Sequence, residues 1–145
     1  MSKESEYSVN CFNDGFSCSQ AVLASHCEML GLDKELAFKV SGAFGGGMGH
    51  IGEACGAVTG ALMLIGLKYG KYKKEDLESK DKTYSIVNEY IDNFKNKYGS
   101  IKCRDLIKYD ISIYEELIKA RESGVFKTIC PLLVKDSIEI VEKYL

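Results

Sequence analysis

The stretch Gly45 to Gly70, GGGMGHIGEACGAVTGALMLIGLKYG, limits what this chain can fold into more than any other segment. Ten of the chain's fourteen glycines fall between Gly42 and Gly70. A glycine inside a helix costs roughly 1 kcal/mol against alanine. Such density needs a reason, and close approach of another backbone is the usual one. Gly45, Gly46, Gly47, Gly49 and Gly52 form a cluster, and the apolar segment Ala54 to Leu67 follows it. Gly52, Gly56 and Gly60 recur every fourth residue, which predicts one shared helix face. That face is a smooth strip against which a second backbone, or a cofactor, can press. Gly46, Gly47, Gly49 and Gly56 are the positions expected to touch a cofactor. Cys55 is expected in the first turns of this central helix, and the rest of the chain is read as built around it.

A chain of 145 residues makes one domain, 1–145, with enough length to bury a single core. Nineteen basic residues against twenty-one acidic ones give a net charge of −2. That balance offers no electrostatic case for nucleic acid or an anionic membrane. The apolar run of about 14 residues is too short to span a bilayer and suits a buried helix. With no signal peptide visible, the expected compartment is the cytoplasm, where thiols stay reduced. Six cysteines there point to metal ligation, redox work or plain burial rather than to structural disulfides.

Periodicity predicts an all-α fold, a helical bundle of about six or seven helices around the Gly-rich helix. Ser17 and Gln20 make a capping box for a helix running to Leu30, with Gly31 at its end. Asp33 caps a second helix, Lys34 to Ala43. The central helix stops at Gly70. A charged helix covers Lys74 to Tyr98, and its apolar positions Tyr84, Val87, Ile91, Phe94 and Tyr98 step by three and four. Ser100 caps a short helix beginning near Ile101, and another runs from Ser112 to Glu122. The last helix is read as starting at Pro131, a favoured first position.

Placed on those helices, Cys18, Cys55, Cys103 and Cys130 fall at four helix N-termini. Free N–H groups and the positive dipole end favour a thiolate there. If the four ends converge, they make a site able to hold an electron-transfer cluster or to exchange disulfides. Cys27 lies on the opposite side of its helix from Cys18 and is read as core; Cys11 is read as incidental. No CxxC occurs, which removes thioredoxin-like chemistry and the common zinc spacing. CxxCH and the ferredoxin spacings are missing as well. The glycine loop lacks GxxxxGK[ST], so phosphate binding is weakly supported. His50 is weighed as a proton partner or extra ligand against an exposed loop residue. Glu53 is read as a helix-start carboxylate. His26, Tyr84, Tyr90 and Tyr98 are read as packing or surface.

Four of these cysteines, together with Cys55-Gly56-Ala57-Val58-Thr59-Gly60, also carry a resemblance. The chain resembles the C_GCAxxG_C_C family of small proteins described as redox-active, defined by four cysteines and a CGAxxG motif. Cys18 in GFSCSQAVL matches the family's first cysteine; Cys103 in GSIKCRDLI and Cys130 in ICPLL match its last two. The match covers roughly Asn13 to Leu145. The family looks related to split-Soret cytochromes, whose haem motifs are missing here, which leaves their iron centre as the part that carries over. The resemblance therefore implies that Cys18, Cys55, Cys103 and Cys130 hold an iron–sulfur cluster or another thiolate-bound metal for electron transfer with an unidentified partner. The alternative is a thiol–disulfide enzyme with Cys55 as nucleophile and one of the other three as its resolving partner. Neither membrane insertion nor nucleic acid is expected, and a homodimer is compatible.

Overall fold

The computed structural model describes residues 1–145, and every regular element is helical. The helices are α1 (Lys3–Asn13), α2 (Cys18–His26), α3 (Lys34–Ser41), α5 (Gly56–Tyr69), α6 (Leu77–Tyr98), α7 (Cys103–Ile107), α8 (Tyr114–Ser123) and α9 (Val125–Val141). Between α3 and α5 lies a single distorted turn, α4 (Gly45–Met48), with Gly46 and Gly47 at φ +66° and +69°. A 3-10 turn, Glu142–Tyr144, closes the chain. No helix is long and apolar enough to cross a membrane.

The central position of α5 follows from its composition. The helix is apolar on all sides, so every face must find cover. It lies against α2, α6 and α9, and Ala57, Val58, Ala61, Leu64 and Ile65 have no exposed surface. Each larger side chain so buried contributes about 1.5–3 kcal/mol. Gly56 and Gly60 let α2 approach. A Cβ at Gly60 would sit 2.9 Å from the Ser19 carbonyl oxygen and 3.0 Å from Val22 Cβ. The expected strip is two glycines long rather than three. Gly52 lies in the loop before the helix at φ +73°, facing Arg104 and Asp110.

Buried polar groups are partnered throughout. Ser137 Oγ donates to the Ala57 carbonyl at 2.6 Å, so its single proton is used, and Tyr90 donates to Ser137 at 2.7 Å. This relay ties α9 to α5 and α6. Ser8 Oγ donates to the Ala21 carbonyl at 2.7 Å and fixes α1 on α2.

Several elements depart from the sequence reading. The capping box at Ser17 and Gln20 forms, but α2 ends at His26 and the chain turns through Cys27 to Gly31. Helix α1, capped by Ser2, is an element the polar N-terminal sequence did not announce. Its buried positions are Ser5, Ser8 and Cys11, so small residues rather than large apolar ones face the core. Cys11 is core and not incidental. On α6 the buried seam is Ile86, Tyr90 and Phe94, while Tyr84 is 59% exposed. Of the expected positions Phe94 is buried, and Val87, Ile91 and Tyr98 pack half-buried against the core. Helix α9 begins at Val125, directly after Gly124, and runs through Pro131. Proline removes the N–H that would bond the Lys127 carbonyl. Lys127 is exposed, so water can take that carbonyl. Burial of Val125, Leu133, Val134 and Ile138 on one helix outweighs the roughly 3 kcal/mol a proline costs in mid-helix.

Candidate functional site

The apolar interior divides in two. The larger core surrounds α5, and a smaller one joins Cys103, Ile107, Ile111, Ala120 and Val125 from α7, α8 and the start of α9. A cavity of about 500 Å³ lies at the seam, and Cys18, Cys55, Cys103 and Cys130 all line it. Phe12, Ile107, Phe126 and Leu133 supply apolar wall, and Gly45, Gly46, Gly49 and Gly56 supply wall without side chains. Gly49 and His50 are exposed and mark the open side. Cys27 lies outside this cavity in the core, its Sγ 3.7 Å from the Ala24 carbonyl.

Four separate elements deliver the four thiols. Cys18 is the first residue of α2, Cys55 is the cap residue of α5, and Cys103 is the first residue of α7. Cys130 corrects the sequence reading: it stands inside α9, because that helix starts at Val125, six residues before the expected Pro131. Its own N–H is already used by the helix, so no helix end favours its thiolate.

A short two-strand contact holds Cys55 and Cys103 in register. The Cys55 N–H donates to the Ile101 carbonyl at 2.7 Å, and the Cys103 N–H to the Glu53 carbonyl at 2.6 Å. Ala54 and Lys102 form the bridge. Gly47 sits behind it, and a Cβ there would meet Cys103 Cβ at 2.7 Å and the Glu53 nitrogen at 2.6 Å. Gly47 is thus buried behind the wall instead of facing the cavity, unlike Gly46, Gly49 and Gly56. A Cβ on Gly56 would come within 2.5 Å of Cys18 Sγ, so glycine there is what allows that sulfur its place.

Arg104, outside the cavity, braces the loop that carries Cys55, a role the sequence reading did not assign. Its backbone N–H and Nε both donate to the Gly52 carbonyl, each at 3.1 Å, and its guanidinium pairs with Glu53. Glu53 is therefore a loop residue held by Arg104, not a carboxylate on a helix start. The two are 51 residues apart, and no local pattern links them.

The electrostatics are uneven. The Cys55 thiol, donating toward Cys18, holds the Cys18 pKa down to about 7. Burial opposes this, and the backbone N–H groups of Gly46 and Ser19 reinforce it. Cys55 is pushed well up by its role toward Cys18 and by burial, with only the Ala57 N–H acting the other way. Cys103 and Cys130 are pushed up to about 12, both chiefly by burial. Within the pair, more backbone N–H groups point at Cys18 than at Cys55.

The family model for "Putative redox-active protein (C_GCAxxG_C_C)" matches residues 16–144. The chain belongs to the C_GCAxxG_C_C family. All six of its cysteines are free thiols, without a disulfide among them. No curated protein and no solved structure matches the chain.

Proposed function

We propose that this C_GCAxxG_C_C protein is an electron carrier whose Cys18, Cys55, Cys103 and Cys130 hold an iron–sulfur cluster. The observation that carries this reading is the meeting of four cysteines, from four elements, around one glycine- and apolar-walled cavity. The donor set fits such a group. Around one tetrahedral ion with bonds of about 2.3 Å, all four sulfurs would stand roughly 3.8 Å apart. Here no three of the four sulfurs lie within 4.8 Å of one another. The bare wall at Gly46, Gly49 and Gly56 leaves room for inorganic atoms between the sulfurs.

When bound, a cluster of this kind takes up and gives back single electrons. The chain's own residues do the rest. Cys18 enters as a thiolate, while Cys55, Cys103 and Cys130 shed protons as they bind, so loading is proton-coupled. Phe12, Ile107, Phe126 and Leu133 keep water from the sulfurs, and Gly46 and Ser19 direct N–H groups at Cys18. Reduced, unpaired cysteines suit a cytoplasmic setting.

The low pKa of Cys18 beside Cys55 favours a second reading, a dithiol enzyme. The Cys18 thiolate would attack a substrate disulfide and form a mixed disulfide, releasing one thiol. Cys55, losing its proton, would then attack Cys18 Sγ and release the other, passing two electrons to the substrate. Anaerobic purification separates the two. The cluster reading expects a coloured protein with iron and acid-labile sulfide, both lost in Cys18→Ser, Cys55→Ser, Cys103→Ser and Cys130→Ser but kept in Cys27→Ser. A colourless protein that forms a Cys18–Cys55 disulfide and retains that ability in Cys103→Ser would establish the dithiol reading instead.

A further inference from the structure

Away from the cysteine cavity, the imidazole of His26 poses a question of protons. The side chain is 5% exposed, on the last turn of α2. Ser25 Oγ lies 2.7 Å from His26 Nδ1. The Ser25 hydroxyl has one proton, and it goes to the Val22 carbonyl at 2.6 Å. Toward the imidazole Ser25 can only accept, so Nδ1 carries the N–H. In the neutral ring, Nε2 then presents its lone pair.

That lone pair faces carboxylates. Glu142 Oε2 stands 3.4 Å from Nε2, at the start of the closing 3-10 turn. Glu4, in the first turn of α1, completes the group, and one ligand atom from each of the three residues lies within 4.8 Å of the others. Glu142 is itself oriented, since its Oε1 accepts from Ser2 Oγ at 2.9 Å. A lone pair and two carboxylates gathered within 4.8 Å of one another form a mixed nitrogen and oxygen donor set that a cation would stabilise. Serines that fix the ring tautomer and the carboxylate are the supports found around bound metals.

We infer that Glu4, His26 and Glu142 bind a divalent first-row transition metal ion. One imidazole and two carboxylates form a mixed nitrogen and oxygen set, suited to Mn2+, Fe2+ or Zn2+, with coordination positions left for water. Both glutamates are half-buried. The ion joins α1, α2 and the last turn of the chain, and it stabilises the folded state by mass action. None of this depends on what the four cysteines hold.

Mn2+ is the probe, because it prefers oxygen and nitrogen to thiolate. Added to the anaerobically purified full chain, it should bind saturably at a single site and broaden the ring resonances of His26, leaving those of His50 sharp. The chain has two histidines, so His50→Gln assigns the spectrum. Glu4→Gln, at a half-buried surface position, should weaken Mn2+ about tenfold or more, while Cys18→Ser should leave it unchanged. A Mn2+ affinity untouched by Glu4→Gln overturns the assignment. So does a His26 whose ring resonances stay sharp with Mn2+, since the ion then binds elsewhere.

Discussion

At the scale of single residues, the uneven protonation of the four thiols is the property with chemical consequence. Cys18 and Cys55 share one environment of burial, yet the N–H groups of Gly46 and Ser19 break the symmetry in favour of a Cys18 thiolate. In metal-free protein, alkylation by a small uncharged reagent should therefore rise as pH increases through about 7 and label Cys18 first. Cys103 and Cys130, held up to about 12 by burial, should stay unlabelled through neutral pH. Peptide mapping after a brief pulse at several pH values reads this out. Labelling of Cys55 before Cys18 would reverse the assignment within the pair. Arg104 belongs to the same scale. It fixes the loop carbonyl of Gly52 and the Glu53 carboxylate, and through them the strand contact that aligns Cys55 with Cys103.

At the scale of elements, α2 and α5 set the site, because their contact brings Cys18 to Cys55. Their closeness rests on two glycines. Gly60→Leu would drive a side chain into the Ser19 carbonyl and Val22, and Gly56→Leu into Cys18 Sγ and the Ser19 nitrogen. Each should cost more than the ~1–3 kcal/mol usual for overpacking, since backbone rather than flexible side chain stands in the way. Gly66 gives the contrast. It lies on the same helix, and a Cβ there meets nothing within 4 Å. Gly66→Ala should therefore stabilise by about 1 kcal/mol. Chemical denaturation of the three variants checks this, and equal effects at Gly56, Gly60 and Gly66 would show that α2 does not press on α5.

Across the whole molecule, α6 and α9 meet at Asp136, which is 4% exposed. Lys97 approaches it at 3.0 Å and Lys135 at 3.2 Å, and the Tyr98 hydroxyl donates to it. Burial alone would raise the Asp136 pKa, but Tyr98, Lys97 and Lys135 together hold it below the usual carboxylate range. A carboxyl with a depressed folded pKa contributes stability that is present above its unfolded value of about 3.9 and lost as pH falls through the folded one. Asp136→Asn should thus cost about 1–2 kcal/mol at neutral pH, reduced because both lysines are partly in water. The gap between wild type and variant should be constant above pH ~5 and close below pH ~4. Urea titrations at a series of pH values measure that gap.

How much of this was legible beforehand differs by kind of information. The all-α class, the starts of α2 and α3 and the stop of α6 were written in local chemistry, because a capping box, an aspartate cap and a glycine stop act within a few residues. Cys18, Cys55, Cys103 and Cys130 were singled out from expected helix starts and from the CGAxxG motif, and these four line one cavity. Helix α1 was not, because serine and cysteine facing a core carry no apolar stripe. The start of α9 was misread because proline's local preference lost to burial along the whole helix. The cavity itself lay beyond sequence, since it exists only where two apolar cores meet. So did the Arg104–Glu53 pair and the Glu4, His26 and Glu142 group, whose members are brought together from distant parts of the chain. Local chemistry placed Cys18, Cys55 and Cys103 at helix starts; tertiary packing decided that Cys130, from inside α9, shares one space with them, because only the folded backbone fixes distances between residues far apart in the chain.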